Sequence, residues 1–168
     1  GTSAGLAVLG QHVYDPDGVA GVTSAEALAD PYHPYVMLST GFLRFPILDG
    51  TITDSHFRER DRMGRTLAFM ARLRQDGMAP SITAIAIDEQ TSLFIDRNGR
   101  GIVDSNLGGA TYVISERSDT VREQVLPGQP LVYRNLQRVR LRAGQWFDFV
   151  ARTHNGDSAT LSVDGRNA

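Results

Sequence analysis

The sequence predicts an α/β domain with a β-rich C-terminal portion, and three observations carry that prediction. Gly1-Thr2-Ser3-Ala4-Gly5 is a small-residue turn centred on a serine, and it leads into an apolar stretch suited to a helix. Met63, Leu67, Met70 and Leu73 form an apolar stripe at helical spacing, followed by a buried-type strand from Ser81 to Ile87. Beyond that strand, short β-branched and aromatic runs alternate with glycine turns. The 168 residues suit a single domain, 1–168, with a substantial core.

Taken in order, Ala4 to Leu9 is small and apolar and is expected to be a helix packed under the serine. Asp15-Pro16-Asp17-Gly18 has turn composition. Thr23-Ser24-Ala25-Glu26 opens a short helix with a capping residue, which stops at Asp30-Pro31. Tyr32-His33-Pro34-Tyr35 is loop, and the runs Val36 to Leu38 and 42–45 suit strands or a flap. Thr51 to Phe57 reads as a strand with a polar end, and Arg58 to Gln75 as the main helix, closed by Asp76-Gly77.

Arg97-Asn98-Gly99 joins Ser92–Ile95 to Gly101–Val103 as a hairpin. Strands are then expected at Thr111–Ser115, Leu131–Tyr133, Gln137–Leu141, Trp146–Val150 and Ala159–Val163, with a further hairpin turn at His154-Asn155-Gly156-Asp157.

Hydrophobic residues make up 41% of the chain and charged residues 21%, the proportions of a globular protein. A net charge of −2 argues against a nucleic-acid surface, and no apolar run reaches membrane-spanning length. Neither nucleic acid nor membrane is therefore expected as a partner. The absence of cysteine removes disulfides, thiolate catalysis and most structural zinc sites, and no metal or cofactor is expected. All 17 basic residues are arginine, so any anion site must use guanidinium groups, which grip carboxylates in bidentate fashion.

Residues 1–5 spell G-x-S-x-G, the nucleophile elbow, in which the serine hydroxyl stands clear of a sharp turn. The amide of Ala4 can then point at a developing oxyanion. A nucleophilic serine needs a base, and a carboxylate to orient that base. His56 is best placed, at the polar end of a strand and before a helix. His154 lies in an Asn-Gly turn, while His12 and His33 lie in loops and are assigned no role. Asp88 and Glu89 end a buried strand, and alternation sends them to opposite faces, so only one can serve the site. Asp54, two positions before His56, is a weaker orienter. Arg58, Arg62 and Arg65 would share one helical face, either as a solvated basic surface balanced by Glu59 and Asp61 or as an anchor for carboxylates.

These motifs together resemble the cyanophycinases and the related aspartyl dipeptidase-like serine peptidases. The matching stretches are Gly1 to Gly5, Asp54-Ser55-His56-Phe57 with Arg60, Arg62, Gly64 and Arg65, and Ile87-Asp88-Glu89. The resemblance implies the C-terminal part of a class I glutamine-amidotransferase-like, flavodoxin-like sandwich. It implies a triad of Ser3, His56 and Glu89, an oxyanion donor at Ala4, and substrate contacts from Asp54, Ser55, Arg60, Arg62 and Arg65. The implied reaction is hydrolysis of β-aspartyl or aspartyl peptides such as β-Asp-Arg, by a homo-oligomer acting on a peptide substrate. Ser55 stands where cyanophycin-cleaving members look to carry a glutamine, which bears on recognition of an arginine side chain. The alternatives are a non-catalytic amidotransferase-like binding module and an α/β-hydrolase-type esterase, whose chain order would require His154 as base.

An elbow also needs a strand ahead of it, and none precedes Gly1 here. The chain is therefore expected to be the C-terminal product of a proteolytically processed precursor, with the N-terminal fragment of the same precursor as its partner.

Overall fold

The run Thr83–Ile87 is buried at all five positions, which places it inside a sheet covered on both faces. In the computed structural model, which describes residues 1–18, 20–41 and 43–167, the described residues form two sheets, three α-helices and two short 3-10 turns. The first half runs α1 (Ala4–Ala7), β1 (His12–Tyr14), α2 (Ser24–Ala29), β2 (Leu38–Thr40), β3 (Thr51–Asp54), α3 (Met63–Gln75) and β4 (Thr83–Ile87). The second half is strands: β5 (Thr91–Ile95), β6 (Arg100–Ser105), β7 (Thr111–Ser115), β8 (Val121–Gln124) and β9 (Val132–Leu141). Three more follow: β10 (Trp146–Asp148), β11 (Thr153–His154) and β12 (Asp157–Asp164).

The large sheet has the order β12-β9-β7-β4-β3-β1-β2, with β8 paired to β9, and the small one the order β11-β10-β6-β5. Only β1, β3 and β4 run parallel to one another; β4–β7, β7–β9, β9–β12 and β1–β2 are antiparallel. The fold is thus mixed α/β and mostly strand. Alternation sorts the core into two layers. Ala84, Ala86, Tyr112 and Ile114 face α2 and α3, while Ile85, Ile87 and Val113 face the small sheet.

Helix α2 begins as expected, with a capping box in which Thr23 and Glu26 satisfy each other's backbone amides, worth about 1 kcal/mol. Helix α3 starts at Met63, five residues later than expected. The amides that would have begun it are committed elsewhere: Phe57 N–H donates to Ile87 O and Arg58 N–H to the Asp88 carboxylate. Asp61 has φ 46°, which breaks helical geometry. Arg58, Arg62 and Arg65 therefore do not share one helical face. Gly64 is required by close approach, since a Cβ there would lie 2.8 Å from Leu28 and Ser24 of α2.

Other expectations change in the structure. His12 is not in a loop but in β1, 2% exposed, and burial pushes its pKa down. Strand β3 ends at Asp54 rather than Phe57, because the Ser55 amide turns back to the Asp54 carboxylate and His56 takes φ 48°. Leu131–Tyr133 and Gln137–Leu141 merge into the single strand β9 through Asn135 at φ 63°, opposite a bulge in β12. The turn at 154–157 is not a hairpin: β11 pairs with β10 and β12 with β9, so it carries the chain between sheets. Strand β8 was not expected, and the run 42–45 begins outside the described residues.

At the far end of β7, Glu116 collects Arg74, Arg122 and the Tyr133 hydroxyl. Burial pushes the Glu116 carboxyl up, but hydrogen bonds from Tyr133, Arg74 and Arg122 outweigh it and hold it below 4.5. Its stabilising effect is complete above 4.5 and is lost as pH falls through the lowered folded value. Glu116→Gln is expected to destabilise the fold by roughly 1–3 kcal/mol at neutral pH, with the gap closing in acid, as chemical denaturation at the two pH values would report.

Candidate active site

Helix α1 is a single turn, and Ser3 is its N-cap with φ 52° and ψ −122°. That backbone is strained for any residue with a Cβ, and such strain persists only where the surroundings impose it. Here Leu6 and Ala7 N–H groups donate to Ser3 O, and Thr53 Oγ1 of β3 donates to Leu6 O at 2.7 Å. Leu6 and Leu9 pack on Leu48, Ile85 and Ile87 beneath. Ala4, the first helical residue, is exposed, and its amide is one of those that a helix leaves without an internal acceptor.

His56 and Glu89 follow the ends of two adjacent parallel strands, β3 and β4. Carboxyl ends of parallel strands are where α/β sheets gather their functional groups. His56 Nε2 lies 2.9 Å from Ser3 Oγ, and His56 Nδ1 lies 2.7 Å from Glu89 Oε1. Three residues in or beside this line, Ser3, His56 and Gln90, have positive φ without being glycine.

Below the line, the sequence builds a rigid base. Asp88 is 3% exposed, and its two oxygens accept the amides of Arg58 and Ala110, stapling the segment after His56 to the start of β7. The Asp88/Glu89 alternation thus separates a structural carboxylate from one facing His56. Glu59 accepts the Glu89 amide at 3.1 Å. Its role was not legible in sequence, because only the folded turn brings residues 59 and 89 together. Gly109 passes so close that a Cβ would lie 2.2 Å from Thr91 Oγ1.

Asp54 is buried at the end of β3. Its carboxylate accepts from Arg65 Nε at 2.9 Å and Nη2 at 2.7 Å, from Arg62 Nη1 at 3.0 Å, from Thr66 Oγ1 at 3.2 Å and from the Ser55 amide. Arg62 Nη1 also donates to Ser55 O at 2.8 Å. Arg65 lies near Tyr14 and Phe69, its guanidinium carbon 5.1 and 5.7 Å from their ring centroids. Arg62 and Arg65 therefore face an internal carboxylate rather than the cleft, and with Asp54 they hold the turn that presents His56.

The cleft over Ser3 has a volume of about 500 Å³ and includes Ser55, His56, Glu89, Leu6 and Leu93 in its walls. Among the described residues that line it, Asp54, Arg60, Arg62 and Arg65 are absent. Arg60 is exposed on the turn after His56. His154 is remote from Ser3 in bonding: it stacks on Phe147 at 5.8 Å, and its Nε2 meets Ser158 Oγ. Among the described residues, no group of three or more His, Asp or Glu could hold a metal ion.

A serine hydroxyl, an imidazole and a carboxylate thus stand in one hydrogen-bonded line, on a strained turn over a mixed sheet. The chain is 33% identical over 154 residues to the cyanophycinases of Trichormus variabilis and of a Nostoc species. The match takes in 91% of this chain and 46% of each relative, so the chain spans about half the length of the curated relatives it matches. This similarity supports a cyanophycinase-like family. No family model matches the chain.

Proposed function

We propose that this chain carries the catalytic centre of a serine peptidase that hydrolyses β-aspartyl or aspartyl peptides, β-Asp-Arg among them, on a glutamine-amidotransferase-like scaffold. The observation that carries the reading is the continuous line from Ser3 Oγ through His56 to Glu89 Oε1, with spacings of 2.9 and 2.7 Å. The name of the two relatives supports the choice of substrate class.

In this reading, His56 Nε2 takes the Ser3 hydroxyl proton as Oγ attacks the carbonyl carbon of the scissile amide. The carbonyl oxygen becomes an oxyanion, with the Ala4 amide as a donor. His56 then delivers its proton to the leaving nitrogen, the C–N bond breaks, and an acyl-serine remains. Water, deprotonated by His56, attacks the acyl carbon and restores Ser3 with its proton. Glu89 stays ionised throughout, holding the Nδ1 proton and stabilising the imidazolium.

The test is twofold. A fluorophosphonate probe should label the chain at Ser3, located by peptide mass spectrometry, and β-Asp-Arg should be cleaved to aspartate and arginine. A folded protein that takes no label and cleaves no β-aspartyl peptide would overturn the reading. Glu89→Gln removes the carboxylate that orients the imidazole and is expected to lower kcat about 100-fold or more with little change in KM. Steady-state kinetics on the dipeptide check this, and an unchanged kcat would remove Glu89 from the mechanism.

A further inference from the structure

We propose that Asp104 is the residue that selects a cationic side chain in the substrate, a role that rests on the peptidase reading above. The cleft over Ser3 does not end at β5. Thr2, Gln90, Thr91 and Ser92 line both it and a second hollow of about 380 Å³, whose far wall includes Asp104 and Asn106. These four residues are the shared border of the two hollows, which together make up a trough.

The carboxylates around this trough are otherwise committed. Asp88 is saturated by the Arg58 and Ala110 amides, and Glu89 is bonded to His56. Glu59 holds the Glu89 amide and Arg58, and Asp54 lies buried between Arg62 and Arg65. Asp104 is different. It pairs in register with Ser92 on the exposed face of the hairpin, and among the described residues its carboxylate has no ion-pair or hydrogen-bond partner. A guanidinium entering the trough from Ser3 therefore meets one uncommitted carboxylate, with the Asn106 amide and the Ser92 hydroxyl beside it. Asp104 can accept two parallel N–H bonds from a guanidinium, a pairing that a neutral urea group cannot complete with charge assistance.

The test reads binding, in the Ser3→Ala background so that no ligand is consumed. Calorimetric titration at low ionic strength compares β-aspartyl-arginine with the isosteric, neutral β-aspartyl-citrulline. Because the carboxylate is exposed, the arginine ligand is expected to bind only about fivefold more tightly. Adding Asp104→Asn should bring the ratio to about one, and Asp104→Arg should reverse it, with circular dichroism confirming the fold of each variant. Equal affinity for the two ligands before Asp104 is changed, persistence of the preference in Asp104→Asn, or no binding of either ligand would each overturn the assignment. Hydrolysis by the unmodified chain tests the peptidase reading separately: turnover with no charge preference sinks Asp104 alone, whereas a charge preference without turnover or probe labelling sinks the peptidase reading alone.

Discussion

Ser3→Ala is expected to lower kcat/KM for a β-aspartyl peptide by about 10³–10⁴-fold or more while leaving the global fold intact. The first part follows from chemistry: without Oγ there is nothing for His56 Nε2 to deprotonate across the 2.9 Å gap, and no acyl intermediate forms. The second follows from position. Ser3 is exposed, its hydroxyl makes no capping bond to α1, and its side chain contributes nothing to the cores beneath. The backbone strain at φ 52° is common to serine and alanine, so the substitution does not relieve it. Ser3→Gly would relieve it and lose the nucleophile equally, so the two variants should be matched in activity and differ, if at all, in stability. Probe labelling and dipeptide turnover, with thermal melts as control, read these outcomes. Full activity in Ser3→Ala would place the nucleophile elsewhere.

Ser3 and His56 were legible in sequence because each sits next to a local signal, and a strand end narrowed the acid to Asp88 or Glu89; only the family resemblance chose Glu89. Ser3 has its flanking small residues, His56 a polar strand end, and Glu89 a buried strand before it. Such signals survive in a one-dimensional reading because the chemistry lies where a periodic element stops. The arginines were less legible for the opposite reason. Their spacing after His56 matched a helix, but the amides of Phe57 and Arg58 bond across to β4 and Asp88, and those long-range partners decide where α3 starts. His12 was misplaced in a loop because β1 has only three residues, too few for alternation to register, and is held by pairing with β2 and β3. The hairpin expected at 154–157 failed similarly, since turn composition does not say which sheet receives each arm.

Asp54→Asn is expected to be the most destabilising single change in the site, and also to damage catalysis at a distance. Asp54 and Arg65 have side chains 7% exposed, and Arg62 is 17% exposed. Removing one charge from a buried cluster leaves the others desolvated and unpaired, a cost of roughly 3–5 kcal/mol. In a chain of this length, that is a fall in Tm of about 10 °C. The loss should not be confined to stability. Asp54 fixes the Ser55 amide, and Arg62 fixes the Ser55 carbonyl, on either side of the bend that sends His56 toward Ser3. Loosening that bend lets the imidazole leave the 2.9 Å geometry, so kcat should fall more than KM rises, even well below the melting temperature. A solvated basic face would behave differently, because neutralising an acid beside exposed arginines costs little and is screened by salt. Asp54→Leu combined with Arg65→Met offers the contrast: removing both charges from the most buried pair should recover stability relative to Asp54→Asn, although not the hold on Ser55. Recovered stability with unrecovered kcat would show that the cluster serves the position of His56 as well as the fold, whereas recovery of both together would reduce it to a packing element.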